Sequence, residues 1–129
     1  MISRLMASGV VTVLLLAGSV SAHHNMSAIF DFNNRVSFTG TLAKFDWRNP
    51  HIELVVDVKE GQRVQTWRIE GPAPGFFRDR DVSKADFEGA FGKEVSFEAS
   101  RARDGSTWAL LRTMKLPGGK LVSACPQNC

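Results

Sequence analysis

A small, mainly β domain is the fold this sequence predicts: an OB-like antiparallel β-barrel of five to six strands, with a short helical crossover between strands 3 and 4. Three observations predict it. Apolar residues recur with a period of two in successive short segments between residues 35 and 123. A Gly/Pro-rich break and a helix-type pattern separate the third segment from the fourth. The first segment is unusually long and changes phase beyond Gly40. An open antiparallel sheet with one helix packed on a face shares this periodicity, so the pattern leaves both architectures standing.

In the first strand Val36, Phe38, Gly40 and Leu42 share one face, while Phe45 and Trp47 are apolar at odd positions. A bulge near Ala43 and Lys44, or a bend at Gly40, must re-aim the chain. Arg48-Asn49-Pro50 ends this strand, and His51 to Val58 forms the second, with Ile52, Leu54, Val56 and Val58 inward and His51 facing away. Lys59 to Gln62 turns the chain into a third strand from Arg63 to Glu70, which stops where Pro72 and Pro74 cannot donate to a ladder. Phe76 to Arg80 suits a short helix. Ser83 with Asp86 marks a helix start before Phe87 and Phe91, and Gly92 closes it. Lys93 to Ser100 is the fourth strand, with Val95, Phe97 and Ala99 inward. Asp104-Gly105 supplies a hairpin turn because both residue types tolerate positive φ. Trp108, Leu110, Met114 and Leu116 then line the core side of a fifth strand, and Lys120 to Ser123 forms a short sixth.

Ahead of this domain, Arg4, the apolar run through Val10 to Ala17 and the small residues ending Val20-Ser21-Ala22 have the pattern of a cleaved secretory signal peptide over residues 1–22. The run is short for a membrane span, so no stable span is expected after cleavage. Residues 23–34 then form an N-terminal arm, 35–123 the barrel domain and 124–129 a C-terminal tail; the expected location is periplasmic or secreted. Removing 22 residues from a chain of 129 leaves 107, enough for one core and not two. With Arg4 gone, fifteen basic residues face thirteen acidic ones, and Asp79, Asp81 and Asp86 interleave with Arg78, Arg80 and Lys84. That balance gives no nucleic-acid stripe. Cys125 and Cys129 suit a local disulfide in an oxidising compartment, with a second metal site or a redox pair as alternatives.

The candidate chemistry lies in three histidines, His23, His24 and His51. Cleavage after Ala22 gives His23 a free α-amine beside its imidazole, a two-nitrogen chelate, and a third nitrogen from His51, or from His24, completes a set that suits copper, with zinc as the alternative. Met26 offers a thioether, and Asp31 or Asp46 an oxygen or a hydrogen bond that orients a ring. The same residues also read without a metal: a mobile polar start, and a turn histidine bonded to a carbonyl. No Gly-x-Ser-x-Gly elbow, His-Glu-x-x-His motif or phosphate-binding glycine loop is present, so an enzyme is not expected. The expected function is a non-enzymatic binding module for a small ligand or an envelope protein. The alternative is an interaction protein that makes its contacts through Phe45, Trp47, Phe76 and Phe77.

Ala22-His23-His24, Phe30-Asp31-Phe32, Phe38-Thr39-Gly40-Thr41 and Trp47-Arg48-Asn49-Pro50-His51 together resemble a family of small exported bacterial proteins, the domain of unknown function numbered six-one-five-two. The resemblance spans nearly the whole mature chain and implies a small β-rich exported domain; it implies no activity. Asn25, where Ser is common in the family, and the terminal cysteines depart from its pattern.

Overall fold

The computed structural model describes residues 25–125; the expected signal peptide, His23, His24 and residues 126–129 lie outside the described residues. A four-residue helix, α1 (Met26–Ile29), leads into β1 (Phe30–Asp46), followed by β2 (Glu53–Glu60), β3 (Arg63–Glu70), α2 (Lys84–Ala90), β4 (Glu94–Ala102), β5 (Trp108–Lys115) and β6 (Leu121–Ser123). The protein is mainly β, with all six strands in one sheet ordered β3-β2-β1-β4-β5-β6. Successive neighbours in that order are antiparallel, and a short parallel pairing of Arg68–Glu70 with Trp108–Leu110 also joins β3 to β5. β1 takes in Phe30 to Asn34, residues that the sequence pattern assigned to the arm.

β1 serves two neighbours. Its first part pairs with β4 and its last part with β2, and Thr41 is opposite both Glu94 and Asp57. The hand-over requires a glycine: a Cβ on Gly40 would press into the carbonyl oxygen of Asp57 and stand 2.9 Å from its carbonyl carbon. Two residues later the pairing passes from Leu42–Val56 to Lys44–Val55, which leaves Ala43 as an extra residue. This bulge produces the expected phase flip, so Leu42 is buried and Phe45 packs against the same core.

A second bulge was not expected. Glu98 pairs with Thr113 but Ala99 pairs with Leu111, so Arg112 is the extra residue in β5. The sequence pattern put Trp108 and Leu110 on the core side, yet the buried residues are Ala109, Leu111, Met114 and Leu116. The phase before Arg112 is therefore opposite to the phase after it. At the Asp104-Gly105 turn only Gly105 has positive φ, at 77°. Asp104 contributes instead by accepting the Ser106 N–H at 2.9 Å.

The chain between β3 and β4 packs its aromatics inward. Phe77 is fully buried, and Trp47 stacks on it at 5.5 Å and meets Phe87 at 5.4 Å. Phe45, Trp47 and Phe76 are partly buried against the core. Of the four, Phe77 is enclosed, while Phe45, Trp47 and Phe76 pack one side on the core and keep part of their surface exposed. The start of α2 is held by Asp86, whose carboxylate accepts the Ser83 N–H at 2.8 Å and both bonds from Lys120 at 3.1 Å.

Two outcomes follow. Gly40→Ala forces β1 and β2 apart and lowers the unfolding free energy by about 1–3 kcal/mol, read as a fall in the urea midpoint. The Asp86 carboxyl is held below its usual 3.8, first by the Ser83 N–H and, against the cost of burial, by Lys120. A carboxyl depressed on folding contributes fully well above its unfolded value, and the contribution is lost as pH falls through the folded one. Urea midpoints measured from pH 6 downward (~6 to ~2) should therefore fall less steeply for Asp86→Asn than for the parent protein.

Candidate functional site

His51 stands where the β2–β3 hairpin runs out. The hairpin keeps one register from Glu60–Arg63 to Glu53–Glu70, and the ladder continues one step further as Ile52 N–H donates to Pro72 O at 3.0 Å and Gly71 N–H to Ile52 O at 2.9 Å. The approach is tight, since a Cβ on Gly71 would lie 2.7 Å from Ile52 Cγ1. The Asn49–Pro50 peptide bond on the other side of His51 is cis.

Glu53 and Glu70 are directly opposite each other, a like-charge pair that is unfavourable unless each finds its own partner. Glu53 takes Arg68, whose Nε and Nη2 lie 2.9 and 2.8 Å from one carboxylate oxygen; this bond raises the guanidinium pKa above its ordinary value. Glu70 takes His51, with Nδ1 2.6 Å from Oε1. A carboxylate only accepts, so Nδ1 carries a proton, and Nε2 is the ring nitrogen left on the other side. The carboxylate is 14% exposed and the imidazole 30%, so the bond is well sheltered while the ring stays accessible.

The imidazole divides two cavities. The polar one, of about 350 Å³, has Arg48, Glu53, Arg68, Glu70 and Trp108 on its walls. Trp108 lies under the Arg68 guanidinium at 4.9 Å and edge-on to Phe30 at 5.0 Å, and its indole N–H is buried without a hydrogen-bond partner among the described residues. The other cavity, of about 440 Å³, is mostly apolar and is lined by Met26, Phe32, His51, Leu110, Leu111 and Cys125, among others. Glu70 lines only the polar cavity, so the proton-bearing side of the ring is turned there.

The Arg112 bulge opens the apolar cavity. β3 follows β5 only as far as Leu110, and β6 joins it only from Thr113. Between them the wall is completed by Gly71 and Pro72 on one side and by Ala124 and Cys125 on the other. The second wall is tied down as Ala124 N–H donates to Arg112 O at 2.8 Å; Cys125 Sγ lies 3.7 Å from the same oxygen. Cys125 is disulfide-bonded. The chain's other cysteine, Cys129, lies outside the described residues. At the cavity floor the Arg112 side chain meets Glu98 at 3.3 Å and the buried Ser100 hydroxyl at 3.4 Å.

Of the three histidines singled out from the sequence, His51 is described and sits at this junction, while His23 and His24 lie outside the described residues. Among the described residues no group of three or more His, Cys, Asp or Glu side chains stands together as a metal cage. Asp31 pairs with Arg103 at 3.9 Å and Asp46 with Arg48 at 2.9 Å, and the carboxylate that meets the His51 ring is that of Glu70. This partner was legible in principle, because counting back from the Gly61-Gln62 turn puts Glu70 diagonal to His51 across the hairpin. Leu110 and Arg112 left no such signal, since their exposure to the cavity follows from the bulge.

No helix among the described residues is long and apolar enough to cross a membrane. No curated protein and no solved structure matches the chain. The family described as "Family of unknown function (DUF6152)" matches residues 10–111, a stretch that includes His51 and both cavity-lining residues of the β5 wall before the bulge. The chain belongs to this family of unknown function.

Proposed function

We propose that this protein is a small exported, non-enzymatic binding module, and that its ligand in the sharpest form of this reading is copper, held by the His23 amine and imidazole and by Nε2 of His51. The observation that carries it is the bond from His51 Nδ1 to Glu70. A ligating histidine commonly donates its other ring N–H to a carboxylate, which fixes the tautomer and makes the free nitrogen a better donor to metal.

Chain length supports the rest. Met26 lines the same cavity as His51, and His23 precedes Met26 by three residues in the sequence, a stretch whose extended length is about 10 Å. A nitrogen-rich set prefers Cu(II) over zinc by the usual affinity order. The OB-like barrel belongs to the same reading: pairings run in a circuit β1–β2–β3–β5–β4–β1, and the mouth of a small barrel is a customary ligand site.

The test is a Cu(II) titration of the protein beginning at His23, of the same protein with one extra residue before it, and of two variants. The authentic start binds more tightly than the extended one, and His51→Ala weakens binding by about tenfold or more. Glu70→Gln keeps the fold and weakens binding by about 10–100-fold through the loss of ring orientation. Acid weakens all of them, because protons compete for the nitrogens. Equal, weak binding by the two starts overturns the copper reading.

A further inference from the structure

Four residues among those described carry sulfur or imidazole: Met26, His51, Met114 and Cys125. Met114 is fully buried in the core. The other three, far apart in the sequence, all line the 440 Å³ cavity. They arrive by independent routes: Met26 on α1, His51 from the end of the β2–β3 hairpin and Cys125 from the tail pinned to Arg112 O. The remaining walls are chiefly apolar, with Phe32, Leu110 and Leu111, and such walls restrict water and oxygen-donor competition.

A thioether, an imidazole and a thiolate form a donor set suited to Cu(I), a soft cation that accepts low coordination numbers. Two of these donors do not depend on the disulfide: the Met26 thioether, and Nε2 of His51, whose Nδ1 is taken up by Glu70. The third is not, because a disulfide sulfur carries no thiolate, and the thiolate is the form that binds metal. We infer that Met26, His51 and Cys125 form a Cu(I) site gated by the Cys125 disulfide, closed to the metal when oxidised and opened on reduction by a dithiol. This rests on the reading above in one respect, the use of His51 Nε2 as a ligand; it does not use His23.

The chemistry balances without a further reactant. A dithiol reductant gives two electrons and two protons to the disulfide and becomes a disulfide itself, which leaves Cys125 and its former partner as thiols. Cu(I) then replaces the proton on the Cys125 sulfur, and that proton passes to solvent. The copper stays Cu(I) throughout, so no electron is left unassigned. The gating has a consequence for metal release: a disulfide oxidant accepts two electrons from the two sulfurs and becomes a dithiol, taking one proton from the partner thiol and one from solvent, the Cys125 disulfide re-forms, and Cu(I) is left with a two-donor site.

The experiment is a Cu(I) titration under argon against a chromogenic Cu(I) chelator, with the full mature chain. The arms are the oxidised protein, the protein reduced with a phosphine that is then removed, and the variants Cys129→Ser and Cys125→Ser. Cys129→Ser holds Cys125 as a thiol without any reductant, and Cys125→Ser leaves a thiol only at the other position. Reduced parent and Cys129→Ser bind Cu(I) at least about tenfold more tightly than oxidised parent, and Cys125→Ser does not. In the Cys129→Ser background, Met26→Leu and His51→Ala each weaken binding several-fold, while circular dichroism shows the fold unchanged. An extra residue before His23 leaves Cu(I) binding as it was, so failure of the His23 chelate and failure of this site are separate results. Equal affinity in oxidised and reduced protein, tight binding retained by Cys125→Ser, or indifference to both Met26→Leu and His51→Ala overturns the inference.

Discussion

The contact between β1 and β2 at Gly40 is the constraint on which the architecture depends. One strand has to leave its partner β4 and take up β2, and at Thr41 it belongs to both. Backbone can come this close to backbone only where no Cβ intervenes, and the Asp57 carbonyl occupies the space a side chain would need. Move β2 outward and its buried row, Leu54, Val56 and Val58, leaves the core shared with Trp67 and Phe97. The hairpin that carries His51 and Glu70 would move with it, so the geometry of the site is inherited from a glycine well outside it.

Each bulge then has a distinct consequence. The one at Ala43 serves packing, because it brings Leu42 and Phe45 onto the same core. The one at Arg112 serves the cavity. It puts Ala109 and Leu111 inward before the extra residue and Met114 inward after it, which turns Leu110 and Trp108 toward the two cavities that meet at His51. A strand without that extra residue would keep a single phase, and β3 and β6 could both follow it without leaving a gap.

His51 owes its partner to the charge pattern across the hairpin. Two glutamates facing each other at Glu53 and Glu70 are tolerable because Arg68 takes one and the imidazole N–H takes the other. That arrangement holds the ring on its polar side and leaves the opposite nitrogen for whatever enters. On the apolar side the disulfide-bonded Cys125 shares the cavity wall with Met26. One small opening thus joins a sheltered carboxylate–imidazole pair to a sulfur-bearing pocket.

Much of the fold was legible in the chain itself. Alternation located all six strands to within a few residues at most ends, with the start of β1 missed, and the apolar shift past Leu42 announced the first bulge. Local chemistry announced the start of α2 at Ser83 and Asp86. These are short-range effects, set by side-chain period and by bonds within a turn. The second bulge was invisible because Trp108 and Leu110 look as apolar as core residues do, and only pairing with β4 decides which phase is buried. For the site, His51 could be singled out as an unusual residue type, but its partner could not be settled without the hairpin register. The convergence of Met26, His51 and Cys125 on one cavity depends on contacts between residues remote in sequence, and such contacts exist only once the sheet has assembled around them.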